Sequence, residues 1–406
     1  MTSAGHTSDR PGLWFVPFVA ALIALGPFAI DTYLPALPSM ANALGTDIVR
    51  ANQTLSIYLL GFAVGQLLGG PVSDQLGRRV VGLTGLTIFI LCAVGIALAQ
   101  DIDVVLGLRG VQAIGGGFAT VICMAMVRDS YSALEAARQF PKIMMVMLTA
   151  PLVAPAIGAA MLPLGWASIF VFLAGYASLL VIGLLMMRET ASHRTGQLVP
   201  GKILQQYLSV LRWRVAGKRL PLRYILSQGL ISSVLMIFIT HSSYIYMDYF
   251  AVPANQFVLY FAANVLAMMV GNLVTSRLIL RIPPYTLYLW GRAVQFVAII
   301  LLTTAVMSAP ASMALFLPLL ALVIGCNGVI APAVQGLYLA PFRELSGSAS
   351  SLLNTSIFTM GGLLGAVSGL WFDDTLLPIV LTMLIALVLG NLLALTIPRT
   401  QPADHD

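Results

Sequence analysis

Gly70-Pro71-Val72-Ser73-Asp74-Gln75-Leu76-Gly77-Arg78-Arg79 is a polar, Gly- and Arg-rich decapeptide set between two long apolar runs. It is too short for a domain and too charged for a membrane core, so it reads as a turn joining two membrane helices. Gly70 and Gly77 are expected at its two ends, where tight backbone geometry is needed. Asp74 and the pair Arg78 and Arg79 supply opposite charges that cap helix ends and clamp a neighbouring helix. An ordinary loop with two arginines on the cytoplasmic side is the plainer reading of the same residues.

Composition agrees with a membrane setting. A soluble chain is about one-quarter charged, whereas these 406 residues are 9% charged and 59% hydrophobic, with a mean hydropathy of +0.93. The chain reads as an all-α membrane protein. Crossing about 30 Å of hydrocarbon takes about 20 residues, and the apolar runs divide into twelve transmembrane helices. They fall roughly at 14–37, 52–72, 80–99, 103–127, 140–162, 167–187, 223–247, 255–279, 285–307, 311–336, 347–371 and 375–397. The apolar run after the polar segment Met1 to Gly12 is too long for a signal-peptide core and is expected to stay as the first helix.

Orientation follows from the basic residues. Arg10, Arg78, Arg79, Arg128, Arg138, Lys142, Arg188, Arg194, Lys202, Arg212, Arg214, Lys218, Arg219, Arg223, Arg277, Arg281, Arg343 and Arg399 all fall on one side. The opposite loops hold Arg50 with Asp47, Asp101, Asp103, Asp248, Asp373 and Asp374. Both termini are therefore expected to be cytoplasmic. The net charge of +6 reports topology rather than nucleic-acid binding, because it sits at helix ends instead of on one folded patch. Cys92, Cys123 and Cys326 all lie inside apolar spans and fit neither a disulfide framework nor a metal site. Neither metal nor cofactor is expected.

The one long polar connection, 188–222, divides the chain into an N-terminal six-helix half, 1–187, and a C-terminal six-helix half, 223–406. Within the connection Ile203, Leu204, Tyr207, Leu208, Leu211 and Val215 recur at helical spacing opposite Lys202, Arg212, Arg214, Lys218 and Arg219. That is the pattern of an amphipathic helix lying on the membrane surface, or of a partner-binding face. Gly271-Asn272-Leu273-Val274-Thr275-Ser276-Arg277-Leu278 echoes the opening decapeptide, with Thr275 in the place of Asp74. Paired six-span repeats are expected of transporters whose substrate site lies between the halves.

Ionisable residues inside spans cost about 2.5–3.5 kcal/mol each at a helix centre and need a reason. Asp31 in the first span and Arg109 in the fourth stand out. Counted from the outer ends of their helices at about 1.5 Å per residue, both lie about 9–10 Å below the external surface. One reading is a permanent ion pair locking two helices. The other is an acid whose proton exchanges as a cavity changes face, with Arg109 as its fixed charged partner. Gln112 shares a helix face with Arg109, and Gly115, Gly116 and Gly117 soften the fourth span or admit a close neighbour. Asp248 reads as solvated at the outer surface. Arg292, early in the ninth span, reads as snorkelling to the cytoplasmic interface. In the fifth span, Ala150, Ala154 and Gly158 recur every four residues among Pro151 and Pro155, predicting a kinked, closely packed helix. Gly361, Gly365 and Gly369 repeat the device in the eleventh.

Four stretches carry a resemblance: Gly70 to Arg79, the run from Asp31 to Pro38, the Leu106 to Gly117 helix with Arg109 and Gln112, and the Pro-rich fifth span. Together they resemble the motifs of twelve-helix drug/proton antiporters of the major facilitator superfamily, most nearly the Bcr/CflA-type bicyclomycin- and chloramphenicol-resistance exporters. Val127-Arg128-Asp129, Ser242 to Tyr246 and Gln256-Phe257 add to it. Ala150-Pro151 and Ala154-Pro155 depart from the family's usual Gly-Pro pairing. The resemblance implies a monomeric transporter of the bacterial inner membrane that exports small amphipathic drugs in exchange for protons by alternating access. Asp31 and Arg109 would couple protons. Gly70, Asp74, Gly77, Arg78 and Arg79 would form the gating motif, and Pro151, Ala154, Pro155 and Gly158 the helix-packing motif. Spans facing the axis in that fold nominate Tyr33, Tyr58, Gln112, Met144, Met147, Tyr244, Asn264, Gln335, Asn354 and Phe358 as substrate-binding, against a packing or lipid-facing role for each.

Other functions remain to be weighed. A dedicated exporter of an endogenous sugar, amino acid or siderophore fits the same features. An enzyme would need a nucleophile with its base or a metal cluster, yet His6, His193 and His405 lie in tails or linker and His241 stands alone in a span. A channel would show a polar path or charge ring that the sequence lacks.

Overall fold

The computed structural model describes residues 12–191, 196–214, 220–308, 312–342 and 345–397. Arg10, Arg194, Val215, Lys218, Arg219, Arg343, Arg399, His6, His193 and His405 lie outside them. Among the described residues twelve helices are long and apolar enough to cross a membrane, the count expected. No strand occurs among them.

The boundaries differ where polar residues continue a helix. The second span runs Ile48–Leu76, so most of the opening decapeptide is helical and Gly70 is no turn residue. The turn is one residue, Gly77 at φ 105°, after which Arg78 starts the third span. Helical pairing of the polar backbone groups continues to the edge of the bilayer, and one left-handed residue suffices to reverse the chain. The fifth helix, Ala133–Met161, starts about two turns before its apolar run. Ser132 caps it, exchanging hydrogen bonds with Glu135.

Small residues set the packing. A β-carbon on Gly115 would stand 2.5 Å from the Gly85 carbonyl, and one on Gly117 2.8 Å from Gly65. The second, third and fourth spans therefore meet backbone to backbone, the closer of the two uses expected of this triple glycine. Between the first six and last six spans, the second and eleventh run antiparallel in contact. Ser351 Oγ donates to the Gln66 carbonyl at 3.2 Å and Phe62 meets Phe358 edge-on at 4.9 Å. A β-carbon on Gly365 would be 3.0 Å from Ser56 Oγ, and one on Gly369 3.1 Å from Val49. The seam is thus closed along the helices' length. Apolar side chains such as Leu91, Leu179 and Leu370 are largely exposed on the outer surface of the spans, the side that faces lipid.

The linker helix Pro200–Arg212 buries Ile203, Tyr207 and Val210, while Leu204 faces outward. Tyr207 crosses to the seam, donating its phenol to the Leu67 carbonyl at 2.5 Å. Burial pushes that phenol upward from its ordinary range, so it remains a donor throughout physiological pH.

Candidate functional site

The first span is broken where its acid sits. Helix Phe15–Asp31 ends at Asp31, and a tight turn Leu34–Ala36 leads into helix Leu37–Ala43. Pro35 and Pro38 cause the break, since neither has an N–H to bond the carbonyl four residues back. The Leu34 carbonyl instead accepts Ser243 Oγ of the seventh span at 2.5 Å. Gly158 of the fifth span lies so close against the Thr32 carbonyl that any β-carbon there would overlap it. Three helices therefore converge around residues 31–35. Asp31 is buried, and its Oδ1 has no hydrogen-bond partner in the protein.

Arg109 is fully buried in a cage of its own. Its guanidinium carbon lies 4.1 Å from the centre of the Tyr58 ring, 4.4 Å from that of Tyr33 and 5.6 Å from that of Phe170. Nη1 donates to Gln112 Oε1 at 2.8 Å and Nη2 to the Ala29 carbonyl at 3.1 Å. Such a cage stabilises a cation through ring quadrupoles and carbonyl dipoles, with no net negative charge. Tyr33 is itself fixed: Thr54 Oγ1 donates to the Ala51 carbonyl at 2.6 Å, so the Tyr33 phenol must donate to Thr54 at 3.2 Å.

Asp31 and Arg109 form no ion pair, which excludes the permanent lock. The reason is azimuth rather than depth. Ala29 and Tyr33 meet Arg109, and Asp31 lies two residues from each, about 200° around a helix. Buried polar atoms without a protein partner nonetheless gather at this level. They are Asp31 Oδ1, Thr32 Oγ1, Tyr58 OH, Arg109 Nε and Gln112 Nε2, and groups left so in a folded protein call for a functional account.

At the Gly77 end a second polar site forms. Arg78 pairs with Asp74 at 2.5 Å and with Asp129 at 3.0 Å, and donates to Ser73 Oγ at 2.6 Å. Glu189, just past the sixth span, accepts the backbone N–H groups of Arg78 and Arg79 at 2.9 and 3.2 Å, capping the third helix. Arg79 reaches the Leu185 carbonyl at 2.7 Å. Glu189 was absent from the residues nominated by sequence, although an acid in a strongly basic segment directly after a span was the available signal. Its carboxylate occupies the space a β-carbon on Gly77 would need.

The nominated cavity residues divide. Tyr33, Tyr58 and Gln112 surround Arg109, and Phe358 joins them through Phe62, which stacks on Tyr58 at 6.0 Å. Tyr244 packs elsewhere, on Phe372 at 4.6 Å, and Asn264 donates to Tyr246 OH at 2.7 Å. Met144 and Asn354 are half-buried, while Gln335 and Met147 are exposed. In the fifth span Ala154, Pro155 and Gly158 are buried and Pro151 half-buried. His241 is not isolated: Ser368 donates its proton to the Gly365 carbonyl, so His241 Nε2 carries the hydrogen it shares with Ser368 at 2.6 Å.

The family model for the Major Facilitator Superfamily matches residues 18–366. A bicyclomycin resistance protein homolog of Haemophilus influenzae is 27% identical over 91% of this chain and 92% of its own. A multidrug resistance protein MdtL of Klebsiella pneumoniae is 26% identical over 95% and 96%. A chloramphenicol resistance protein of Pseudomonas aeruginosa reaches 40% over a shorter stretch, 41% of this chain and 42% of its own. Among solved structures, a POT family transporter in complex with 5-aminolevulinic acid superposes with a TM-score of 0.75 at 13% identity, covering 97% of this chain and 96% of its own, a likeness of fold. These motifs, helices and matches agree: the chain is a multi-pass transporter, not an enzyme, and belongs to the Major Facilitator Superfamily, where its likeness is to the Bcr/CflA type.

Proposed function

We propose that the protein exports small amphipathic compounds, antibiotics among them, in exchange for protons across a bacterial inner membrane. It works as a monomer with both termini in the cytoplasm, and its two six-helix halves rock about the seam between the second and eleventh spans. The names of its relatives support the cargo class. The observation that carries the coupling is Asp31, a buried carboxyl with an oxygen unpartnered by protein, placed where the first helix is already broken by Pro35 and Pro38.

A broken helix can turn its two parts separately. Rotation of the inner part of the first span would carry residue 31 toward the fourth span, whose Arg109 bears a permanent charge. Arg109 then stabilises the carboxylate once its proton has left, and Tyr33 and Tyr58 exchange their cation contact for cargo. The aromatic faces from Tyr58 through Phe62 to Phe358 cross the seam and suit varied apolar molecules.

The test is drug movement in liposomes bearing an imposed proton gradient, with substrate-induced proton release measured in detergent. Wild type expels chloramphenicol-like compounds and releases protons on binding them. Asp31→Asn abolishes the gradient dependence by at least tenfold, whereas Asp31→Glu keeps part of it. Export of no drug, together with an Asp31→Asn form equal to wild type, would overturn the reading. Retention of one endogenous metabolite in cells lacking the gene would identify a dedicated exporter instead.

A further inference from the structure

Arg292 is, like Arg109, a buried guanidinium within a membrane span. It lies in the ninth span, Pro284–Met307, and is only 6% exposed. Side chains in a helix lean toward its N-terminus, and Arg292 leans toward the end that carries Gly77, onto the twelfth span. Nε donates to Asn391 Oδ1 at 2.9 Å and Nη2 to the Asn391 carbonyl at 3.1 Å, while the Tyr288 ring centre lies 4.9 Å from the guanidinium carbon. Among the described residues no carboxylate pairs with it. Arg109 shares that property but is sealed by three rings; Arg292 borders an open recess of about 250 Å³ lined by Leu289, Ala293, Phe296, Asn391 and Leu395.

The recess opens on the outside of the bundle. Trp290 and Val294 on the ninth span and Leu392 and Leu395 on the twelfth are 46–75% exposed around it, the side that acyl chains cover. Asn391 lies one helical turn, about 6 Å, before the end of helix Leu377–Leu395, near headgroup depth. A second cation lies at the same end of the twelfth span, since Arg223 donates to the carbonyl of Thr396, the residue after Leu395, at 2.6 Å. A cation without a counter-ion, in a lipid-facing slot with apolar walls, is the complement of a lipid phosphate with its chains.

We propose that this recess binds an anionic phospholipid, its phosphate on Arg292 and an acyl chain along Ala293 and Phe296. Asn391 is a positioning residue that presents the guanidinium.

Native mass spectrometry of the purified protein tests this, by titration with phosphatidylglycerol and with phosphatidylcholine of matched chains. Wild type should retain phosphatidylglycerol about fivefold more tightly, the ratio one near-surface charge supports. Arg292→Gln, which can still bond Asn391, should bring the ratio to about one. Ala293→Trp fills the slot without touching the Arg292–Asn391 bonds and should remove phosphatidylglycerol retention while leaving the melting temperature in phosphatidylcholine unchanged. Equal ratios in wild type and Arg292→Gln would overturn the proposal, as would full retention in Ala293→Trp. So would displacement of the lipid by millimolar inorganic phosphate, which would identify a site for free anions.

Discussion

The connection between the second and third spans and the one between the eighth and ninth occupy corresponding places in the two halves, yet they are held by different physics. At the first, Arg78 collects Asp74, Asp129 and Ser73, and Glu189 caps the following helix. At the second, the helix Ala254–Leu278 ends in a looser passage to Pro284, and among the described residues no ion pair forms there. Arg277 and Arg281 are exposed. The lost acid is also not where the echo in the sequence places it. Asp74 is 58% exposed at its side chain, but Thr275 is buried, with its hydroxyl donated to the Gly271 carbonyl at 2.9 Å. A β-carbon on Gly271 would overlap the Gly325 carbonyl of the tenth span, whereas one on Gly70 would be 3.8 Å from Val121, an ordinary contact with the fourth. A charge latch thus ties the first six spans at that end, while the last six rely on packing and hydroxyl bonds. An asymmetric transporter results, with one stiff lobe end and one softer.

The strongest way to break this contrast is to put the acid where the echo suggests. Thr275→Asp would bury a carboxylate with no cation beside it, at a cost of about 3 kcal/mol. The expected outcome is a large drop in melting temperature or failure to reach the membrane. A stable Thr275→Asp protein with a new pairing to Arg277 would show the two ends to be equivalent after all. Arg78→Ala comes next. It leaves Asp129, 22% exposed, without its partner and frees Ser73, a loss of about 2–3 kcal/mol once screening of the exposed Asp74 is discounted. Thermal unfolding of the purified protein should show it, with transport reduced in proportion.

The contrast also separates what the sequence disclosed from what it hid. Twelve spans were legible because crossing a bilayer demands long apolar runs, and that demand is local. Asp31 and Arg109 were legible as costly charges, and even their common depth followed from counting residues. Their failure to pair was not legible, because it depends on the break imposed by Pro35 and Pro38 and on which face of the first span meets the fourth. Glu189 escaped for a similar reason. It is more than a hundred residues from the amides it caps, and nothing local marks it as their partner. The closeness of Tyr33, Tyr58 and Phe170 around one guanidinium likewise comes from four helices meeting.

Gly77→Ala probes the turn alone. Gly77 sits at φ 105° with the Glu189 carboxylate where a methyl would go, so alanine there carries both backbone strain and displacement of the cap. The expected loss is about 1–3 kcal/mol. In an Glu189→Ala background the displacement vanishes and the strain remains, so the second substitution should cost less than it does in wild type. Equal losses in both backgrounds would mean that Glu189 does not cap the turn.

The smallest expected effect bears on the softer end. Ser276 is exposed beside Thr275, its hydroxyl bonded only to the Leu273 carbonyl of its own helix at 2.8 Å. Ser276→Asp adds the acid on the water side, one residue from Arg277, as the first copy carries Asp74 near Arg78. Adjacent helical residues do not face each other, and an exposed pair is worth at most about 1 kcal/mol. The melting temperature should therefore move by no more than one or two degrees, and the shift should disappear in high salt. A gain that survives salt would mean that the eighth-to-ninth connection holds a latent latch, needing only its carboxylate, and that the difference between the ends lies in one side chain rather than in how the helices pack.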